Sequence, residues 1–185
     1  MNILVIGSGG REHSLAECFA KSKKVAKVYV SPGNAGIAKY YECVKLPKQE
    51  DICNFCRQNT IDLVFIGPEQ PIAEGLSDYL WGKGISVIAP SKFAGQLETS
   101  KIFAKDLMQK SKIPTARYQI ARTVEQALEL IENFGYPAVI KADGLAGGKG
   151  VIIVSDLNEA EDALNKITIS AKFRARLKRG LVQEE

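Results

Sequence analysis

The sequence predicts an α/β fold in which a domain built on a parallel sheet is followed by a smaller α+β unit. In the first part of the chain, apolar runs rich in β-branched residues alternate with segments of helical periodicity. Beyond about residue 112 the order changes to strand, helix, strand, glycine-rich loop, strand and helix. We therefore expect two domains, residues 1–112 and 113–185.

The first domain contains four predicted strands, at residues 3–6, 28–30, 62–66 and 85–88. Helices are predicted at 12–21 and near 49–58, and a third helix follows Pro71 with Ile72, Leu76 and Leu80 on one face. Alternation of strands and helices favours parallel strands with helices on both faces of the sheet. A further helix, at about 100–109, precedes the boundary.

The second unit has clear helix signals. Thr123 and Gln126 have the spacing of a capping box, and apolar residues then recur at helical spacing as far as Gly135, which stands where a C-cap belongs. Residues 137–141 and 151–155 read as buried strands, and 158–167 as the next helix.

A loop with four glycines and two lysines separates those two strands, from Lys141 to Gly150. Glycines let backbone N–H groups approach an anion closely, so the loop predicts a flap over an anionic ligand, with polyphosphate as the first candidate. A Walker site is excluded, because Asp143 stands where its first glycine belongs and Gly150 where its hydroxyl belongs. An ordinary exposed hairpin is the alternative.

Three further loops follow the first three strands, around Gly7, Gly33 and Gly67. In a parallel sheet they lie at the carboxyl edge, where ligands collect. The dinucleotide fingerprint fails, since Glu12 replaces its third glycine and Ser31 its acidic residue. A phosphate held by the first turn and Arg11 remains open, as does a set of turns that bind nothing.

The composition is that of a globular protein, with 45% hydrophobic and 25% charged residues and a formal net charge of +4. A mild positive charge fits anionic metabolites and does not demand nucleic acid. One histidine and a single C-x-x-C pair, Cys53 and Cys56, leave zinc short of ligands, so free thiols in a reducing cytosol are expected. No apolar stretch approaches transmembrane length, and we expect a cytoplasmic protein.

Taken together, these motifs resemble the glycinamide ribonucleotide synthetases, or phosphoribosylamine–glycine ligases, of the ATP-grasp superfamily. The matching segments lie in order along nearly the whole chain, at residues 7–13, 32–36, 67–71, 100–105, 113–116 and 141–150. The resemblance implies a pre-ATP-grasp, Rossmann-like domain that binds phosphoribosylamine, followed by a small ATP-grasp subdomain with a glycine-rich lid. It also implies ATP-dependent joining of glycine to 5-phosphoribosylamine through glycyl phosphate in de novo purine biosynthesis.

The resemblance also implies site residues. Those expected to bind the phosphoribosyl substrate are Gly9, Gly10, Arg11, Gly33, Asn34, Ala35, Gly67, Pro68, Glu69 and Pro71. Those expected to bind ATP are Lys105, Lys141, Asp143, Gly144, Ala146, Gly147, Gly148, Lys149, Gly150, Glu184 and Glu185. No residue is assigned as catalytic and none as a metal ligand.

The resemblance ends at Glu185, before the second half of the ATP-grasp fold with its magnesium ligands and most of the glycine pocket. We therefore expect a truncated chain that is inactive alone, with magnesium ligands outside it. A monomer with small-molecule substrates and no nucleic-acid or membrane partner is expected. The competing hypotheses are a non-catalytic sugar-phosphate or nucleotide-binding module and an NAD-linked reductase.

Overall fold

A computed structural model of the chain describes residues 1–145, 150–169 and 181–184. The chain divides into two compact units, Met1–Gly95 (unit 1) and Gln96–Glu185 (unit 2). This division precedes the expected boundary at 112/113. The reason is that the helix after Ser100 is bonded to the second half of the chain: the Ser100 hydroxyl and the Ile102 N–H both donate to the Asp143 carboxylate.

Unit 1 is a five-stranded parallel sheet with the strand order β3-β2-β1-β4-β5. This confirms the predicted parallel sheet and adds one short strand, β3, to the four that were predicted. The elements are β1 (Asn2–Gly7), α1 (Gly10–Ala20), β2 (Lys27–Pro32), a 3-10 helix (Ile37–Lys39), β3 (Glu42–Cys43), α2 (Gln49–Gln58), β4 (Ile61–Ile66), α3 (Glu69–Glu74), α4 (Leu76–Gly82) and β5 (Val87–Ile88).

The central strands of unit 1 are buried on both faces, which is why β1 reads as a continuous apolar run. Alternate β1 residues enter two separate cores, with Leu4 and Ile6 in one and Ile3 and Val5 in the other. The sheet is therefore packed on both faces below the loops that leave its carboxyl edge.

The helix predicted after Pro71 is broken into α3 and α4. Gly75 lies between them with a left-handed φ of +90°, and its N–H donates to the Ile72 carbonyl at 2.9 Å. Ile72, Leu76 and Leu80 are nevertheless all buried in the same core, as their spacing predicted.

Unit 2 contains an antiparallel sheet with the order β6-β9-β7-β8. Its elements are α5 (Gln96–Thr99), α6 (Lys101–Lys110), β6 (Tyr118–Ala121), α7 (Val124–Phe134), β7 (Ala138–Ala142), β8 (Val151–Val154), α8 (Leu157–Ile169) and β9 (Leu181–Glu184). One core joins residues of α7 and α8 to the alternate buried residues of β7 and β8.

Helix α7 begins where its capping residues predict. The Thr123 hydroxyl accepts the Gln126 N–H at 3.1 Å. The Gln126 side chain reaches back to the Arg122 N–H at 2.8 Å, one residue earlier than in the usual capping box. Gly135 ends the helix with a φ of +93°.

Among the described residues, no helix is long and apolar enough to cross a membrane.

Candidate functional site

The three predicted loops of unit 1 lie side by side. They follow β2, β1 and β4, which are neighbours in the sheet. The Gly33 N–H donates to the Gly7 carbonyl at 3.1 Å, and the Gly67 N–H donates to the Ile6 carbonyl at 3.0 Å. The loops thus form one continuous edge, called here the three-loop edge (residues 7–11, 32–37 and 67–71).

Glu12 is a buried residue of this edge that the sequence reasoning counted only as a missing glycine. Its side chain is 3% exposed, and its Oε2 accepts the Gly9 N–H at 2.6 Å. A Cβ placed on Gly67 would lie 2.9 Å from Glu12 Cδ and closer still to Oε1, and one on Gly7 would lie 2.6 Å from Cδ. The Glu12 carboxyl therefore occupies the space that side chains at positions 7 and 67 would need.

The other carboxyl oxygen of Glu12, Oε1, is buried and has no hydrogen-bond partner within the described parts of the chain. Glu12 therefore acts at this edge by filling space and by holding the Gly9 N–H. A sequence signal for this role exists. Glycines stand at the ends of two neighbouring strands, at Gly7 and Gly67, and Glu12 occupies a position that must pack closely against the sheet.

Asn34 uses its side chain to shape the loop it belongs to. Its Nδ2 donates to the Ser8 carbonyl at 2.7 Å, and its Oδ1 accepts the N–H groups of Gly36 at 2.8 Å and Ile37 at 2.9 Å. Asn34 thus joins the loop after β2 to the loop after β1, and a direct contact with a ligand stays a prediction.

Arg11 and Glu69 face each other across the edge. The two terminal guanidinium nitrogens of Arg11, Nη1 and Nη2, each lie 3.1 Å from Glu69 Oε1. The pKa of Glu69 lies below its ordinary value, first because the residue's own backbone N–H bonds its carboxylate and then because of Arg11. The Arg11 side chain is 67% exposed, so its charge faces solvent and is accessible to an anion.

The remaining predicted residues of unit 1 shape the loops through their backbone and not through side-chain contacts. Gly9 is the N-cap of α1 and Gly10 its first residue, and a Cβ on Gly10 would meet nothing within 4 Å. Pro68 is the N-cap of α3, which contains Pro71. Gly33 has a left-handed φ of +70°, and Ala35 is exposed in the same loop.

In unit 2 the glycine-rich loop connects two antiparallel strands, as predicted. Lys141 pairs with Val151, and the Ala142 N–H donates to the Gly150 carbonyl at 2.8 Å. Along β7 the residues alternate between buried and half-buried, so Lys141 lies on the face opposite the core. Ala146, Gly147, Gly148, Lys149 and Glu185 lie outside the described residues.

Asp143 does not lie open to solvent at the start of this loop. It is 3% exposed, and its Oδ1 accepts the Ser100 hydroxyl at 3.1 Å and the Ile102 N–H at 3.2 Å. Beside it, the Lys101 Nζ donates to the Gly144 carbonyl at 3.1 Å. Ser100 and Lys101 are thus residues of this site that were not predicted.

Lys105 and Glu184 complete the described part of the predicted ATP site. The Lys105 Nζ donates to Thr115 Oγ1 at 2.7 Å and lies 5.8 Å from the centre of the Tyr118 ring. Glu184 ends β9 and pairs with Tyr118 on one side and Val139 on the other. Glu184 is therefore held between β6 and β7 by backbone pairing.

A cleft of about 610 Å³ lies in unit 2 between the end of α6, the segment before β6 and the end of α7. None of the predicted site residues lines it. Within residues 1–145, 150–169 and 181–184, no group of three or more His, Cys, Asp or Glu could hold a metal ion. The cleft is lined by residues 113–116, one of the segments that carry the resemblance, and by Thr115 and Tyr118, which the Lys105 Nζ contacts. It therefore adjoins one of the residues predicted to bind ATP.

Comparison with known proteins identifies the class first. The fold matches the biotin carboxylase of Campylobacter jejuni, with a TM-score of 0.79 at 22% identity over 100% of this chain and 44% of that one. It also matches N5-carboxyaminoimidazole ribonucleotide synthetase from Thermotoga maritima, with a TM-score of 0.68 at 20% identity over 100% of this chain and 45% of that one. Residues 99–185 match a family model described as "Phosphoribosylglycinamide synthetase, ATP-grasp (A) domain". The class is therefore the ATP-grasp proteins.

Residues 1–98 match a second family model, "Phosphoribosylglycinamide synthetase, N domain". The chain belongs to the phosphoribosylglycinamide synthetase family, which confirms the resemblance drawn from its motifs. The solved phosphoribosylamine–glycine ligase of Thermotoga maritima is similar to it, with a TM-score of 0.77 at 31% identity over 100% of this chain and 44% of that one.

Curated relatives agree. The phosphoribosylamine–glycine ligase of Clostridium acetobutylicum is 42% identical over 100% of this chain, and that of Neisseria meningitidis serogroup B is 44% identical over 94%. The alignments cover 45% and 41% of those two proteins. The chain thus spans less than half the length of the curated relatives it matches.

Proposed function

We propose that this chain takes part in the ATP-dependent joining of glycine to 5-phosphoribosylamine, which yields glycinamide ribonucleotide, ADP and phosphate. The observation that carries this proposal is that one chain of this family contains both a three-loop edge, in unit 1, and a glycine-rich hairpin, in unit 2. Each is suited to a different phosphorylated ligand, and a ligase of this kind needs both.

Unit 1 binds the phosphoribosyl group in this proposal. The exposed residues Gly10, Asn34 and Ala35 offer backbone N–H groups to the ligand, and Arg11 adds a planar cation suited to phosphate. Glu69 is an acceptor for ribose hydroxyls. Its low pKa keeps it in the accepting form at neutral pH.

Unit 2 binds ATP in this proposal. Lys105 on α6 and Lys141 on β7 supply positive charge for the phosphates, and the loop from residue 143 to 150 covers them. Glu184 and Glu185 are the residues assigned to the adenine in this proposal. Several ATP-grasp neighbours were solved with nucleotides, among them a biotin carboxylase domain from Hydrogenobacter thermophilus in complex with MgADP.

The reaction needs two transfers. An oxygen of the glycine carboxylate attacks the γ-phosphorus, and the bond to the β-phosphate oxygen breaks, giving glycyl phosphate and ADP. The phosphoribosylamine nitrogen then attacks the acyl carbon, phosphate leaves with the bonding electrons, and the nitrogen loses a proton. Side chains need form no covalent bond, so positioning and charge neutralisation are what the protein supplies.

Magnesium is the expected companion of ATP, and no group of three or more His, Cys, Asp or Glu in the described parts of the chain could hold a metal ion without the nucleotide. No step is therefore assigned to the ion here. We expect no ATP- and glycine-dependent phosphate release from the 185-residue chain alone, and detectable release would contradict this expectation.

A cytoplasmic monomer acting on small molecules completes the proposal. All four cysteines are free thiols, as is usual in a reducing compartment. Sedimentation of the purified chain at several concentrations tests the monomer, and a mass that rises with concentration would contradict it.

Calorimetric titration tests the two assignments separately. Ribose 5-phosphate should bind the wild-type chain and lose roughly tenfold in affinity in Arg11→Met, as expected for one charge-assisted contact. Arg57→Met removes an exposed arginine of α2 and should leave the affinity for ribose 5-phosphate unchanged.

ATP should bind the wild-type chain and bind more weakly to Lys141→Met. Lys166→Met, which removes an exposed lysine of α8, is the control.

The outcomes separate the candidate functions. Binding of both ligands supports the ligase assignment. Binding of ribose 5-phosphate without ATP favours the non-catalytic module, and binding of neither contradicts both.

A further inference from the structure

Asp143 is a buried carboxylate at the start of the glycine-rich loop. Burial of a charged group is costly unless it is hydrogen-bonded, so the partners of Asp143 define its role. Its hydrogen bonds to Ser100 and Ile102 reach the N-terminus of α6, 41 to 43 residues earlier in the chain.

The contact is a network and not a single bond. The Ser100 hydroxyl lies 3.1 Å from Asp143 Oδ1 and 3.2 Å from Oδ2, and the Ile102 N–H donates to Oδ1. Ser100 is also the N-cap of α6, because its oxygen accepts the Phe103 N–H at 3.2 Å. A negative charge is favourable at a helix N-terminus, so the network stabilises the helix as well as the loop.

The next residue of the loop is held by the same turn of α6. The Lys101 Nζ donates to the Gly144 carbonyl at 3.1 Å, and Gly144 has a left-handed φ of +95° that turns the chain. Two successive loop residues are thus bonded to three successive residues at the start of the helix.

The motif alone suggested that Asp143 contacts ATP. A carboxylate beside a triphosphate would repel it, whereas this one is directed to Ser100 and Ile102 and is 3% exposed. Lys105 lies one turn further along α6 than Lys101, and Lys141 lies two residues before Asp143. The network therefore joins the elements that carry the two lysines proposed to bind phosphate.

We propose that Asp143 is a positioning residue: through Ser100 and Ile102 it fixes the start of the glycine-rich loop to the N-terminus of α6 and so sets Lys105 relative to Lys141. The link between loop and helix stands on its own contacts. Its consequence for ATP rests on the proposed function.

Amide hydrogen exchange of the 185-residue chain tests the link without any ligand. Ser100→Ala and Asp143→Ala should each accelerate exchange in residues 142–150 and 101–104 by roughly five- to tenfold, the effect of losing a charge-assisted bond. Asp143→Asn keeps one acceptor for the Ile102 N–H and should show a smaller change. Unchanged exchange in residues 142–150 of Ser100→Ala would overturn the proposal.

Thr123→Ala is the matched control. Thr123 caps α7 as Ser100 caps α6, since its hydroxyl accepts the Gln126 N–H at 3.1 Å, but this bond lies at the start of α7 and does not involve the glycine-rich loop. Its loss should accelerate exchange at the start of α7 only. Acceleration of residues 142–150 in this variant would show that general weakening of unit 2 explains the effect, and the proposal would fail.

Titration with ATP and with adenosine distinguishes positioning from direct contact. Under the proposal, Ser100→Ala and Asp143→Ala both weaken ATP binding by roughly tenfold and leave adenosine binding unchanged, because only phosphate contacts move. Weaker ATP binding in Asp143→Ala with wild-type binding in Ser100→Ala would mean that Asp143 contacts the nucleotide, and would overturn the proposal. If the wild-type chain binds no ATP, the proposed function fails and the exchange result alone decides the link.

Discussion

Each unit has a buried carboxyl group beside a glycine-containing loop, but the hydrogen-bond partners of the two groups differ in their separation along the sequence. Glu12 in unit 1 and Asp143 in unit 2 are each 3% exposed. Glu12 bonds an N–H three residues away, whereas Asp143 bonds groups 41 and 43 residues away. Glu12 makes its hydrogen bond within its own loop and meets the distant Gly67 by packing, whereas the hydrogen bonds of Asp143 reach a helix from another part of the chain.

The two groups also differ in what they contribute. Glu12 has one oxygen without a partner in the described chain and packs against Gly7 and Gly67, so its volume matters most. Both oxygens of Asp143 lie within hydrogen-bond distance of Ser100. Unit 1 should therefore be sensitive to added volume, and unit 2 to lost hydrogen bonds.

The largest expected effect is that of Gly67→Ala. The added methyl group would overlap the Glu12 carboxyl, and overpacking at such a site lowers the free energy of unfolding by about 1–3 kcal/mol. Urea unfolding of unit 1 can be followed through Trp81, the single tryptophan of the chain. Gly10→Ala, where a Cβ meets nothing within 4 Å, is the control and should not destabilise the unit.

The same clash predicts a rescue. Glu12→Ala removes the atoms that the new methyl group would meet, so Gly67→Ala should cost less in that background by roughly 1 kcal/mol or more. Strictly additive free energies of unfolding would show that Glu12 and Gly67 do not compete for the same space.

A smaller loss is expected from Asn34→Ala, which removes three hydrogen bonds within the three-loop edge. The free energy of unfolding should fall by about 1–2 kcal/mol, with the exposed site limiting the loss. Asn34→Asp keeps the acceptor for Gly36 and Ile37 but loses the donor to the Ser8 carbonyl. Its free energy of unfolding should therefore lie between those of the wild type and of Asn34→Ala. An alanine variant as stable as wild type would show that the loop does not need this side chain.

In unit 2 the Tyr118 hydroxyl predicts a loss of stability in alkali. Burial, aided by the bond that the hydroxyl donates to Asp106 Oδ1 at 2.6 Å, raises the pKa of Tyr118 from 10.0 to about 12. The folded state therefore holds this proton more tightly, and its contribution is complete below pH 10.0 and is lost as the pH rises towards 12. Thermal unfolding across this range should show a shallower decline in Tyr118→Phe, and identical slopes would contradict the assignment.

The smallest effect is one of labelling rather than stability. All four cysteines lie in unit 1, and Cys53 and Cys56 are buried while Cys18 is exposed. Burial raises the pKa of Cys56 to about 11, which keeps it a weakly reactive thiol at neutral pH. Iodoacetamide should label Cys18 first, and mass spectrometry can follow each site.

Labelling of Cys53 and Cys56 then reports the opening of unit 1 alone. Gly67→Ala should accelerate it, and Asp143→Ala should leave it unchanged, because that residue belongs to unit 2. Equal acceleration by both variants would show that the two units do not open independently.

Local patterns were enough to predict most of the fold. The apolar run of β1 predicted a strand buried on both faces, and the Thr123 cap and Gly135 predicted both ends of α7. The two-residue strand β3 has too little pattern of its own, and it forms by pairing Glu42 and Cys43 with β2. The break at Gly75 depends on a left-handed conformation that a single glycine permits but does not require.

Glycine and proline were enough to predict the loops that carry the candidate site, but the long-range contacts that hold those loops were not predicted. The sequence does not reveal that Glu12 touches Gly67, or that Asp143 meets Ser100, because these pairs are brought together only by the folded sheet and helix. The same long-range contact explains why α6 belongs to unit 2 and why the expected boundary at 112/113 differs from the observed one at Gly95.

The measurement that tests the division of labour most directly is amide chemical-shift mapping of the isotope-labelled chain with each ligand in turn. Ribose 5-phosphate should shift resonances at residues 7–11, 33–37 and 67–71, and ATP should shift those at 101–105 and 141–150. ATP shifts confined to the three-loop edge, or ribose 5-phosphate shifts confined to the hairpin between β7 and β8, would contradict the assignment of one ligand to each unit.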